Sequence, residues 1–176
     1  MTNFEKCFYK LIKNEGGYVN DPQDAGGETY KGIARNRNSK WKGWQIIDLA
    51  KRQSNFPSNL ETMTNLQEEI KEFYKLNYWD KVAGDSIVKE DIAHSIFDFG
   101  VNAGVGTSIL LAQKVLGLEP LGVINNETLE KLNSIESDIF ISQFILAKIV
   151  RYLAIVKKNP NNKKFFYGWI KRALEQ

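Results

Sequence analysis

Apolar positions in this chain recur mostly at intervals of three and four residues, the spacing of one buried helix face. Phe4, Cys7, Phe8, Leu11 and Ile12 form the first such stripe, with Thr2-Asn3-Phe4-Glu5 before it at capping-box spacing. The pattern predicts a helix stopped by Gly16-Gly17, with Cys7 in the core. Residues 15–31 are rich in Gly, Asp and Asn and read as loop and turns, including a turn at Asp21-Pro22 and a short hairpin near residues 29–33. A short helix is predicted over 44–51. Thr64-Asn65-Leu66-Gln67 is a second capping box, opening a helix with Leu66, Ile70, Phe73, Tyr74 and Asn77 on one side. A strongly apolar helix follows over 91–102, broken by Gly104-Val105-Gly106, after which Thr107 is placed to cap a helix through Leu116. A turn-rich connection (118–126), a short helix (127–132), a long helix apolar on most sides and therefore central (137–157), and a last helix (163–174) complete the chain. Strand-like alternation is nearly absent, so the class is mostly α with at most a small β-hairpin.

Composition narrows the chemistry. The 176 residues suffice for a real hydrophobic core. A formal charge of +3 excludes a strongly basic nucleic-acid protein, and no Gly-Lys-Ser/Thr phosphate loop is present. The charge is uneven: residues 141–176 carry eight basic groups and one acidic, a net +7, against −4 for the rest. This asymmetry fits either an anionic partner or a solvated helix face. One cysteine and one histidine, Cys7 and His94, exclude an intrachain disulfide and argue against a zinc site or a His-dependent nucleophile. No metal or organic cofactor is expected. No apolar run approaches a membrane span, and the N-terminus lacks the basic-then-apolar order of a secretory signal.

The loop after the first helix holds the most informative chemistry. Glu15 stands at a helix C-terminus, where the negative end of the dipole disfavours an ionised carboxylate. Phe8, Leu11, Ile12 and Tyr18 are candidates for an apolar wall beside it, and both effects favour the neutral acid. A carboxylic acid kept protonated near neutral pH can protonate a glycosidic oxygen. Asp24, nine residues on, lies in a polar loop that keeps it ionised, and Thr29 offers a hydroxyl to water or a carboxylate. Two carboxyl groups in contrasting surroundings fit glycoside hydrolysis. Asp24 placed only to cap a turn before Gly26-Gly27 fits the same residues.

At these positions the chain resembles glycoside hydrolase family 108, the phage-type and secretion-associated N-acetylmuramidases. The resemblance rests on Glu15-Gly16-Gly17-Tyr18, Asp24-Ala25-Gly26-Gly27, Thr29 and Lys31-Gly32-Ile33. It continues through Tyr78-Trp79-Asp80, the run from Phe97 to Gly104, Ala112-Gln113-Lys114-Val115-Leu116-Gly117 and Gly168-Trp169-Ile170-Lys171-Arg172. It implies a lysozyme-like, two-lobed helical fold flanking a glycan cleft, with residues 1–92 as the catalytic region. Residues 93–176 would form a peptidoglycan-binding-like region, the two packed as one compact unit. It implies hydrolysis of the β-1,4 bond between N-acetylmuramic acid and N-acetylglucosamine, and places the family's catalytic glutamate on Glu15. Asp24 keeps the nine-residue offset seen in phage lysozymes, whereas Thr29 comes one residue early. Across residues 121–128, only Gly122 and Thr128 match the binding region's usual pattern, and Asn125 is a candidate for a left-handed turn residue.

Further candidates follow from residue chemistry. Asn102 lies one helical turn after Asp98 and could bond an N-acetyl group, or simply end the helix. Tyr18 and Trp79, and equally Trp41, Trp44 and Trp169, are candidates to stack on sugar rings or to fill the core. The expected function is therefore a muramidase with Glu15 as acid and Asp24 and Thr29 assisting. The alternative is a non-catalytic peptidoglycan-binding or export-assisting module. The expected partner is the peptidoglycan glycan strand, with no nucleic acid and no stable membrane insertion. Synthesis in the cytoplasm without a signal peptide implies release to the periplasm or cell wall through a holin or secretion machinery.

Overall fold

A computed structural model describes residues 1–13, 15–21, 24 and 26–175; Pro22 of the expected turn, Asn14, and Ala25 of the Asp24–Gly27 run lie outside the described residues. The chain forms two compact units, Met1–Asn77 and Tyr78–Gln176. The described residues are mostly helical, with a single two-stranded hairpin, as the sequence predicts.

In the first unit, α1 (Asn3–Ile12) begins at the predicted capping box: Glu5 N donates to Thr2 Oγ1 at 3.2 Å and Thr2 N to Glu5 Oε2 at 2.9 Å. Its apolar stripe buries Phe4, Cys7, Phe8 and Leu11. The hairpin pairs β1 (Thr29–Tyr30) with β2 (Ile33–Ala34), with Thr29 opposite Ala34 and Tyr30 opposite Ile33. Tyr30 and Ile33 are buried. A bridge between Val19 and Thr29 ties the preceding loop to β1. Helix α2 (Gly43–Ala50) buries Trp44, Ile47 and Ala50, and α3 (Thr64–Tyr74) buries Leu66, Ile70 and Tyr74. Lys71 of α3 reaches Glu5 of α1 at 2.6 Å, a bond that holds the Glu5 carboxyl down at about 2.

The second capping box does not form. Met63 occupies the N-cap without a side-chain bond, and Thr64 lies inside α3. The Gln67 amide is engaged elsewhere, donating to Leu60 O at 2.9 Å and to the Tyr30 hydroxyl at 3.3 Å. A tertiary contact with the hairpin has displaced the local motif. Of the predicted stripe, Phe73 is only partly buried, and Asn77 is exposed where the chain has left α geometry for a π turn at Lys75–Trp79.

In the second unit, α4 (Glu90–Ala103) is the most enclosed element, with Ile92, Ala93, Ser95, Ile96, Phe97, Asp98, Phe99 and Gly100 all buried. Gly104, at φ +92°, ends it and starts α5 (Val105–Val115), so the N-cap falls on Gly104 and not on Thr107 as predicted. Asn125 is extended at φ −121°, not left-handed. It caps α6 (Asn126–Ser134) by accepting from Thr128 N at 2.8 Å. The buried Gln113 side chain knits the 121–128 segment together: it accepts from Gly122 N at 2.9 Å and donates to Val123 O at 2.9 Å and Thr128 Oγ1 at 3.1 Å. Gly122 and Thr128, the two matches to the family pattern there, are thus both bound to one core amide.

Helix α7 (Ser137–Lys158) is not central. It buries only the i,i+4 row Phe140, Phe144, Lys148 and Tyr152, facing α4, α5 and α8 (Lys163–Leu174), and leaves Ile139, Leu146, Val150 and Leu153 exposed. By length and composition it also suffices to cross a membrane, its most apolar 18-residue window having a mean hydropathy of 1.9, which revises the expectation that no run is long enough. The row is aromatic: Phe144 meets Phe99 of α4 edge-on at 5.7 Å, and Tyr152 packs on Trp169 of α8 at 5.3 Å. Lys148 Nζ lies 4.4 Å from the Phe144 ring centroid and 3.2 Å from Ser95 Oγ, and burial pushes its pKa down to about 7.

Candidate active site

Helix α1 ends at Ile12, short of the predicted stop at Gly16-Gly17, so Glu15 lies just beyond the helix; its N–H bonds Ile12 O at 3.2 Å, and the residue is half-buried. The hairpin places Gly32 beside it. Glu15 Oε2 and the Tyr74 hydroxyl each lie 2.7 Å from the point where a β-carbon on Gly32 would stand. Gly32 sits at φ +76°, a conformation that disfavours any side chain, and its bare backbone leaves the space these two oxygens share. The Tyr74 hydroxyl also donates to Lys31 O at 2.8 Å, anchoring α3 to the turn of the hairpin. Tyr74 and Gly32 emerge here as site residues. The sequence read the first only as part of an apolar stripe and the second only as part of a motif.

Asp24 is exposed and closes a turn: Gly26 N donates to its Oδ1 at 2.8 Å and Gly27 N to its backbone carbonyl at 2.9 Å. Thr29 Oγ1 donates to Gly27 O at 3.1 Å, and its backbone bridges to Val19. Asp24 and Thr29 are thus joined through Gly27. Among the described residues Asp24 Oδ2 has no hydrogen-bond partner.

Tyr18 is drawn into a network absent from the sequence reading. Its hydroxyl donates to Glu28 Oε1 at 2.7 Å, and its ring meets Phe56 edge-on at 4.7 Å. Glu28 is 9% exposed and also receives Arg35 and Lys51, each at 2.6 Å. Arg35 makes a two-bond fork with Asp48 at 2.8 and 2.6 Å. Burial by itself raises the Glu28 pKa, but hydrogen bonds from Lys51, Arg35 and Tyr18 outweigh it and hold the carboxyl below its ordinary value. The same burial, together with the bond to Glu28, raises the Tyr18 phenol. These partners lie far apart in sequence, so no local pattern signals them. Their effect is to fix the loop that carries Tyr18 against the hairpin and α2.

Trp79 and Asn102 belong to the second unit. Trp79 is fully buried, donates its indole N–H to Asp85 Oδ1 at 2.8 Å and meets Phe97 edge-on at 5.5 Å. It is a core residue and presents no ring face for a sugar. Asn102 is exposed at the end of α4. Its amide donates to Asp98 O at 2.9 Å and Oδ2 at 3.3 Å, and Arg172 holds Asp98 Oδ1 at 3.1 Å. Among the described residues the Asn102 amide oxygen has no partner, and it can still accept from an acetamido N–H. No group of three or more His, Cys, Asp or Glu among the described residues is placed to hold a metal ion.

Comparison with known proteins gives the chain a family and a similar solved structure. A family model described as Glycosyl hydrolase 108 matches residues 8–104, over half of the chain. It spans Glu15, Tyr18, Asp24, Thr29, Trp79 and Asn102. A second, described as Predicted Peptidoglycan domain, matches residues 107–174. No curated protein sequence matches the chain significantly. The solved structure of Brucella abortus SagA is similar with a TM-score of 0.71 and 28% identity, over 98% of this chain and 90% of that one. The fold is mostly α and lysozyme-like, and the chain belongs to the glycosyl hydrolase 108 family.

Proposed function

We propose that the chain hydrolyses the β-1,4 bond between N-acetylmuramic acid and N-acetylglucosamine in peptidoglycan, with Glu15 as general acid. The observation that carries this reading is the placement of the Glu15 carboxyl just beyond α1, in the space left by Gly32 beside the Tyr74 hydroxyl. A carboxyl group so confined keeps one orientation, as proton delivery to a leaving oxygen requires. Asp24, exposed and with one carboxylate oxygen open, supplies negative charge to an oxocarbenium-like transition state or orients water. Thr29, whose proton is given to Gly27 O, retains lone pairs for that water. The family match and the peptidoglycan-domain match support the polymer as substrate. The net +7 of residues 141–176 suits an anionic wall, reached after release through a holin or secretion machinery.

The test is mass spectrometry of muropeptides released from purified sacculi by wild type and Glu15→Gln. The expected products end in reducing N-acetylmuramic acid, and the variant loses about 10²–10⁴-fold in rate. A variant as fast as wild type removes Glu15 as the acid. Anhydro products would indicate a lytic transglycosylase, and retention on sacculi without release would indicate a binding module.

A further inference from the structure

Within the first unit, the segment leading into α2 faces α3 across a cavity of about 440 Å³, a size typical of small-ligand sites. Its aromatic wall is Trp41 and Phe73, with ring centroids 6.0 Å apart at 62°. Trp41 is locked in place: its ring meets Trp44 edge-on at 5.2 Å, its indole N–H donates to Glu69 O at 3.3 Å, and it passes 2.2 Å from where a β-carbon on Gly43 would stand. This wall is therefore preorganised.

The rim carries charge of both signs. Arg37, Lys40 and Lys42 come from the segment before α2, and Glu69 and Glu72 from α3. Among the described residues none of these five side chains has an ion-pair or hydrogen-bond partner. Unpaired opposite charges around a fixed aromatic wall match a ligand that brings carboxylates, an amino group and a short apolar stretch together. A neutral glycan offers these groups hydrogen bonds but no opposite charge. Phe73, which lines the cavity, immediately precedes Tyr74, whose hydroxyl shares the Gly32 space with Glu15.

We infer that this cavity binds the peptide stem of peptidoglycan, the stem's carboxylates toward Arg37, Lys40 and Lys42 and its side-chain amine toward Glu69 and Glu72. The inference rests on the reading of peptidoglycan as substrate. It assigns stem recognition to the first unit, separately from the peptidoglycan-domain match in the second.

The experiment is calorimetric titration of the full chain with a synthetic stem tetrapeptide containing a diamino acid, and with chitotetraose as the neutral control. A stem without sugar has no glycosidic bond, so the titration reads binding alone. The expected result is saturable tetrapeptide binding that weakens with added salt and falls about tenfold in each of Lys40→Glu and Glu72→Lys, both exposed positions. Circular dichroism of both variants confirms that folding is retained. Absence of saturable binding, or binding indifferent to both substitutions, overturns the inference. Muropeptide release by a chain that does not bind the tetrapeptide overturns the stem site alone, whereas tetrapeptide binding without release overturns the hydrolase reading alone.

Discussion

Glu15 Oε2 lies 2.7 Å from the point where a β-carbon on Gly32 would stand, and the Tyr74 hydroxyl lies at the same distance. The smallest possible side chain at residue 32 must therefore displace the proposed acid, the phenol or the hairpin turn. Gly32→Ala also forces alanine to φ +76°, a strain of about 1–3 kcal/mol. The expected outcome is a lowered melting temperature and a loss of muropeptide release of about 10²-fold, the usual cost of misplacing a catalytic group by an ångström. An alanine variant with wild-type rates would show that this space is not needed.

Glu28→Gln tests the network behind Tyr18. The substitution leaves Lys51 and Arg35 without their buried carboxylate, although Arg35 keeps its fork with Asp48 and Lys51 its 3.1 Å contact with the same residue. A loss of about 2–3 kcal/mol at pH 7 is expected in urea unfolding. The pH dependence has a definite sign. The folded-state pKa of Glu28 is held below its unfolded value, so its stabilisation is complete above the ordinary carboxylate range and disappears as pH falls through the folded value. The stability gap between wild type and variant should narrow from pH 7 to pH 3.

Lys148→Met probes the second unit. Burial lowers the Lys148 pKa to about 7, with Asp98 opposing that shift and Arg172 adding to it. Between pH 7 and the ordinary lysine value the folded state therefore binds fewer protons than the unfolded chain, and stability rises with pH. The rise attributable to this group is at most about 5 kcal/mol. Methionine, which fills similar space without charge, should stabilise the protein below pH 7 and remove that rise. Parallel wild-type and variant curves from pH 6 to pH 10 would contradict the assignment.

Legibility followed the range of the forces involved. The capping box at Thr2, the buried stripe of α1 and the place of the hairpin depend on neighbours within a few residues, and the structure reproduces them. The capping box at Thr64 has the same local signal and fails, because Gln67 bonds Leu60 and Tyr30 instead. Helix α7 has the composition of a central helix, yet only its Phe140–Tyr152 row is covered. Periodicity reports which faces are apolar and not which acquire a partner.

The same division runs through the candidate site. Sequence alone marked Glu15 by its position at a helix end, and marked Asp24, Thr29 and Gly32 by their motif. Those signals are local or carried by a family pattern. Only the tertiary structure decided that Tyr74 joins Glu15 at Gly32, that Tyr18 is committed to Glu28, and that Trp79 is a core residue. Each of these depends on contacts that exist only after packing, when hydrogen bonds and burial select among the positions local propensity leaves open.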